Sequence, residues 1–183
     1  MQYEAMVRSQ GKVTIASPGY VMDWHEDCRH YSNHGERMLG EYFGKVYARI
    51  VLEGRKWMPV HPTKVTLEGS TITAKFHVPV PPLVFDTTYV TDPGNYGFEV
   101  VDGANANVAI TKVELAGADT VKVTLANAPS GKPKLRYAFT HTPLTCAGRF
   151  VGARGNLRDS DATPSQNGYT LHNWGVHFEV PVE

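Results

Sequence analysis

The sequence predicts a mainly β fold: an antiparallel β-sandwich preceded by a short strand-loop-helix segment. Three observations lead there. From residue 64 onward, short runs alternate apolar and polar residues and are rich in Val, Ile, Thr and aromatic types, the pattern of half-buried strands. Gly, Pro, Asn, Ser and Asp separate these runs at hairpin spacing. Before residue 53 the apolar period lengthens to three and four residues, the signature of an amphipathic helix.

The elements follow in order. Lys12 to Ala16 alternates and contains β-branched residues, so it reads as a strand, broken by Ser17-Pro18-Gly19. Ser32 is placed to cap a helix from about Asn33 to Ile50. Met38, Leu39, Tyr42, Phe43, Val46, Tyr47 and Ile50 would form its buried face, while Gly35, Gly40 and Gly44 weaken it and permit close packing. Trp57 to Pro62 carries two prolines, which remove ladder donors, and reads as linker or edge material. Lys64 to Leu67 and Thr71 to Val78 flank Glu68-Gly69-Ser70 as a hairpin. Val108 to Leu115 and Thr120 to Leu125 flank Ala116 to Asp119 as a second. Phe98 to Val101, Lys134 to Phe139 and Gly175 to Val180 complete the strands. The expected organisation is a first region over 1–52, a linker over 53–63 and a β-sandwich over 64–183, with no internal repeat.

Eighteen basic and eighteen acidic residues cancel in this chain of 183, and no basic stripe interrupts the mixture. Sequence-independent phosphate binding therefore has no electrostatic basis, which argues against a nucleic-acid partner. No apolar run reaches the length of a bilayer span, and the first residues lack the pattern of a signal peptide. Two cysteines, Cys28 and Cys146, could pair, but two are too few for a disulfide framework. They read as free thiols of a chain made in a reducing cytoplasm, with later assembly into an extracellular or virion structure left open.

The stretch that carries chemistry is Asp27-Cys28-Arg29-His30. In Asp-x-x-His the carboxylate can orient the imidazole, and the imidazole can take a proton from a nucleophilic hydroxyl. A surface ion pair at the start of a helix is the plain alternative. A metal site is another, because His25, Asp27, Cys28, His30 and His34 crowd together. No second cluster supplies the remaining ligands and the spacing fits no zinc pattern, so no metal and no other cofactor is expected.

The order strand, break, Asp-x-x-His, Ser32-Asn33-His34-Gly35, amphipathic helix resembles the last block of the SGNH (GDSL-type) hydrolases, esterases of a flavodoxin-like α/β fold. Gly155-Asn156-Leu157-Arg158-Asp159-Ser160 and Leu171-His172-Asn173-Trp174, after Arg136 to Phe139, are similar to the β-rich ends of sialate O-acetylesterase-like members. By that resemblance His30 is a general base, Asp27 its orienting carboxylate, and residues 1–52 a remnant of the hydrolase domain. His34 falls on a variable position and inherits no role. The family's Gly-Asp-Ser nucleophile block, its oxyanion glycine block and its Gly-x-Asn-Asp block are absent, and no Gly-x-Ser-x-Gly elbow replaces them.

The sandwich offers candidate ligand-binding residues. Tyr96 lies among turn residues, in Pro93 to Gly97, as an exposed sugar-stacking aromatic beside Asn95; Trp57 is a second platform. Arg154 and Arg158, with Arg149 nearby, are placed to meet an acidic sugar. Trp174 reads as buried, like most aromatics on alternating strands. The resemblance then implies a non-catalytic accessory module that binds a cell-surface polysaccharide or docks on a hydrolase partner chain or a second copy. Two other readings stand beside it. One is a carbohydrate O-acetylesterase whose nucleophile comes from elsewhere, and the other is a structural sandwich subunit of a phage tail-type assembly.

Overall fold

A computed structural model describes residues 2–140, 146 and 148–183. The chain opens with a helix that the sequence patterns did not announce, α1 (Gln2–Arg8), followed after the Asp27 loop by α2 (Asn33–Tyr47). Ten strands follow among the described residues: β1 (His61–Glu68), β2 (Thr71–His77), β3 (Val84–Phe85), β4 (Phe98–Val101), β5 (Asn107–Val108), β6 (Ile110–Leu115), β7 (Thr120–Leu125), β8 (Lys134–Tyr137), β9 (Leu157–Arg158) and β10 (Phe178–Pro181).

All strand pairs are antiparallel. One four-stranded sheet has the order β1-β2-β7-β6, a second has β10-β8-β4-β5, and β3 and β9 make a two-stranded ribbon. Inward alternation is clear on β2 and β7, where Ile72, Ala74, Phe76, Val121, Val123 and Leu125 are all buried. They meet Phe98, Val100, Leu135, Tyr137 and Phe178 of the other sheet in one cluster. Phe76 lies 6.4 Å from Phe98 and 6.1 Å from Phe178, so two sheets face each other across a shared core. The first expected hairpin closes through Gly69, whose φ of 60° suits a tight turn.

Residues Lys12 to Ala16 are not a strand. Their alternation is local and finds no sheet edge. The Lys12 amide donates to the Ser9 carbonyl (3.2 Å) and the Val13 amide to Ser9 Oγ (2.9 Å), so the first two amides are used within the turn after α1. Only Ile15 of the five is buried, packed with Met6 and Val176. Without that strand, the parallel-sheet remnant expected before the sandwich reduces to loop and helix.

Helix α2 is capped as expected: Ser32 Oγ accepts from the Gly35 amide at 3.1 Å. Its buried stripe is narrower than predicted. Met38, Tyr42 and Val46 point into the core, whereas Phe43 (57% exposed) and Tyr47 (58%) lie one helical step round and face outward. The predicted seven-residue face merged these two stripes. A π-helical turn over Ala48–Leu52 ends the helix.

The segment expected as a linker marks the change from helix to strand but does not interrupt the core. Tyr20, Val21, Met22, Met38 and Tyr42 belong to the same cluster as Ile72, Leu135 and Trp174. Tyr42 Oη donates to the His172 carbonyl (2.9 Å), and Lys45 Nζ pairs with Asp161 (2.9 Å), both side chains being 7% exposed. Lys45 also donates to Asn173 Oδ1 at 2.7 Å. The two cysteines are not free thiols. The fold brings Cys28 and Cys146, 118 residues apart, into a disulfide. Spacing alone could not show this, because the contact is tertiary.

Two measurements probe this packing. A Cβ on Gly155 would overlap the Tyr137 ring, so Gly155→Ala is expected to destabilise the chain by about 1–3 kcal/mol, read by urea unfolding. Burial raises the carboxyl pKa of Asp161, but hydrogen bonds from Thr163 and Lys45 outweigh it and hold the group down at about 2. Burial also opposes ionisation of Asp86, while bonds from the Tyr89 amide, Thr88 and Arg158 bring it to about 2. A depressed carboxylate stabilises the fold above its unfolded pKa and loses that contribution as pH falls through the folded value. Stability should therefore hold above roughly pH 4 and decline steeply toward pH 2. Asp161→Asn should flatten the decline in acid urea titrations.

Candidate functional site

The Asp27–His30 segment forms a closed loop. Trp24 and Tyr31 form an antiparallel bridge, the His25 amide donates to the His30 carbonyl (2.8 Å), and the Ser32 amide donates to the Asp23 carbonyl (2.9 Å). The rings of Trp24 and Tyr31 meet edge to face at 4.6 Å. Gly35 lets the helix start press against this loop, since any Cβ there would overlap the Asp23 carbonyl oxygen. Cys28 sits at a φ of 57° at the tip, where the disulfide ties it to Cys146.

Within that frame Asp27 and His30 are paired. Asp27 Oδ2 lies 2.7 Å from His30 Nδ1, and Asp27 Oδ1 accepts from the amides of Arg29 (2.9 Å) and His30 (3.1 Å). The bond to His30, helped by the two amides, holds the Asp27 carboxyl well below the usual carboxylate range. The same bond raises the His30 imidazole above the ordinary histidine value. With Nδ1 engaged by the carboxylate, Nε2 is the nitrogen left to exchange a proton, the arrangement a general base requires. The site is open: the His30 side chain is 77% exposed and Asp27 40%. Among the described residues no hydroxyl is hydrogen-bonded to His30. Ser17 Oγ turns to the Pro18 carbonyl and Ser160 Oγ to the Pro82 carbonyl (2.7 Å), so neither is poised as a nucleophile.

A second Asp–His pair, which the sequence reading missed, adjoins the first. Asp23 Oδ2 lies 2.7 Å from His34 Nδ1, and Arg149 grips both oxygens of Asp23 at 2.6 and 3.2 Å. Arg149 also lies over the rings of Tyr89 (4.9 Å) and Phe150 (4.6 Å). Arg149 is 126 residues from Asp23, so no local pattern could have joined them. Among the described residues no group of three or more His, Cys, Asp or Glu is arranged to hold a metal ion.

The structure scatters the five candidate binding residues. Tyr96 is not an open platform: it stacks on Phe85 with centroids 4.1 Å apart and planes 3° from parallel. Trp57 is half-buried, with Nε1 donating to the Ile15 carbonyl (3.0 Å). Arg158 is tied to Asp86 (2.7 Å) and to the Asp159 carbonyl (2.8 Å). Only Asn95 and Arg154 share a cavity, an open groove of 760 Å³ that Asp92, Glu99, Phe139, Thr140 and Phe150 also line. That Phe139, Phe150 and Glu99 share this groove carried no sequence signal, because they lie on three separate segments. A second cavity, of 640 Å³, adjoins the Asp27 loop between the N-terminal segment and α2, lined by Val13, Ile15, Trp24, Tyr31, Leu39 and Phe43.

No protein-family model matches this sequence, and no curated protein matches it. Among solved structures, the chain is similar to a carbohydrate acetylesterase from Xanthomonas citri, with a TM-score of 0.50 and 16% identity, over 82% of this chain and 29% of that one. It also aligns with the N-terminal part of the bacterial S-layer protein SbsC, with a TM-score of 0.42 and 11% identity, over 85% of this chain and 29% of that one. The chain thus spans less than a third of either. The first likeness shows a shared β-rich fold over the aligned part.

The Asp27–His30 pair makes a direct prediction. In NMR titrations of the imidazole, His30 should protonate above the ordinary histidine range, and Asp27→Asn should bring it back down. An unchanged His30 titration in that variant would show that the pair does not exist in solution.

Proposed function

We propose that this chain is a carbohydrate-directed accessory module of an SGNH esterase-like protein, without hydrolytic activity of its own. The observation that carries this reading is the Asp27–His30 pair: oriented as the base half of a triad, yet with no hydroxyl bonded to the imidazole among the described residues. The β-rich likeness to part of a carbohydrate acetylesterase supports the same association. Exposed Phe43, which lines the 640 Å³ cavity, and Tyr47 one turn further along the helix suit docking on a hydrolase core. A disulfide persists in oxidising surroundings, which fits work outside a reducing cytoplasm.

The openness of His30 favours a second reading, in which the pair completes an esterase site with a serine from another segment or chain. His30 Nε2 would then accept the serine proton as the serine oxygen attacks the acetyl carbonyl. The tetrahedral adduct would expel the sugar oxygen, which takes that proton, and water would hydrolyse the acetyl-serine with His30 again as base.

Hydrolysis of a small activated acetate ester by the purified chain tests the primary reading. Rates equal to those of His30→Ala and of buffer are expected. Activity that His30→Ala abolishes would mean that the chain contains its own nucleophile, and the non-catalytic reading would fall.

A further inference from the structure

The 760 Å³ groove lies on the sandwich, between the Asp92–Asn95 turn, β4, and the segments around Phe139 and Phe150. Its size falls among those of small-molecule sites, roughly 300–1,000 Å³. Two features give it a chemical character.

The first is a pair of aromatic rings, each backed by a fixed cation. The Arg136 guanidinium lies 4.5 Å from the Phe139 ring centre and is held by Glu179 (2.6 Å). The Arg149 guanidinium lies 4.6 Å from the Phe150 ring centre and is held by Asp23 (2.6 Å). Each ring is thereby steadied on one face, and Phe150 remains 57% exposed. A flat apolar surface of this kind suits the C–H face of a pyranose ring.

The second is the sign of the lining. The groove carries two carboxylates, Asp92 and Glu99, against one guanidinium, Arg154, and no lysine. Arg154 is partly committed, with Nε donating to the Thr91 carbonyl (2.7 Å) and Nη1 to the Gly152 carbonyl (3.0 Å), which leaves the Nη2 edge of the single guanidinium against two carboxylates. Arg158, the other candidate for an acidic sugar, is held by Asp86 outside the groove. Carboxylate oxygens accept hydroxyl hydrogens and repel other carboxylates. Asp92 Oδ1 already accepts from the Gly94 (2.8 Å) and Tyr96 (3.1 Å) amides, and Glu99 from the Thr140 amide (3.0 Å) and hydroxyl. That leaves Asp92 Oδ2 and the second lone pairs of the other oxygens for a ligand. The Asn95 side chain, exposed and unbonded among the described residues, adds an amide able to donate and accept.

We propose that this groove binds an uncharged, hydroxyl-rich polysaccharide segment, with Phe150 as the stacking face and Asn95, Asp92 and Glu99 as polar partners. The proposal rests on the carbohydrate-directed reading above and adds the ligand's class and place. It predicts weaker binding of the acidic sugar that the arginine cluster suggested in the sequence.

Affinity electrophoresis and calorimetry of the full chain against dextran, mannan and galactan, beside alginate and hyaluronate, test it. At least one neutral polymer should bind, with both anionic ones weaker. Phe150→Ala should weaken that binding roughly tenfold. Asn95→Gly, which keeps the positive φ, should weaken it too, with thermal unfolding confirming that both variants fold. Neutral binding untouched by both variants would overturn the groove while leaving the carbohydrate reading standing. Tighter binding of the anionic polymers would overturn the ligand class. Failure of all five polymers to bind would overturn both the groove and the polysaccharide role. The non-hydrolytic reading depends on the separate ester assay.

Discussion

The fold depends on a buried hydroxyl network around Tyr137. Its ring stacks at 5.5 Å against Phe178 and lies 4.9 Å from Phe98, while glycines at 155 and 175 let two other segments close over it. Its hydroxyl accepts from the Leu157 amide (2.8 Å) and contacts the Tyr20 hydroxyl (3.3 Å), which donates to the Gly175 carbonyl at 2.6 Å. Burial pushes both phenols up, so they stay neutral and serve as donors and acceptors. One aromatic residue on β8 thus fixes the N-terminal segment, β9 and the approach to β10 together. In an apolar core each of these groups would be costly if left unpaired, which gives the network a single workable arrangement.

The second binding of helix to sandwich is ionic. Lys45 reaches from α2 into a buried polar nest, pairing with Asp161 and bonding to the Leu171 carbonyl and Asn173. Asn173 in turn donates to Asp159 (2.7 Å). A charge pair at this depth contributes orientation more than net stability, since desolvation offsets much of the attraction. The orientation matters for the Asp27 loop, which is seated on the first turn of α2 and whose tip is tied by the disulfide to residue 146. The rotation of α2 about its axis also determines which apolar residues it hides. With Met38, Tyr42 and Val46 turned inward, Phe43 and Tyr47 are left on the outside, and Phe43 lines a cavity with Trp24 and Tyr31 of the loop.

Two surfaces therefore divide the chemistry. The loop surface presents a hydrogen-bonded carboxylate–imidazole pair and a cavity, while the sandwich surface presents an aromatic groove lined by two carboxylates and one guanidinium. Arg149 connects them, because the guanidinium that neutralises Asp23 beneath the loop also backs Phe150 at the groove.

The sequence by itself determined the β-rich class, both long hairpins, the Ser32 cap and the Asp27–His30 pair. All of these rest on residues close together in the chain: alternation, turn chemistry, or a carboxylate three residues from an imidazole. The tertiary structure alone decided the rest. Lys12 to Ala16 has strand composition but joins no sheet edge, and the amides of Lys12 and Val13 turn to Ser9. Tyr96 looks exposed among its turn residues until Phe85 stacks on it. Cys28 meets Cys146, Asp23 meets Arg149, and Phe139 and Phe150 line one groove only because the folded chain brings distant segments together. Local patterns record what a residue prefers, whereas these contacts depend on which surfaces remain to be covered once the sheets have packed.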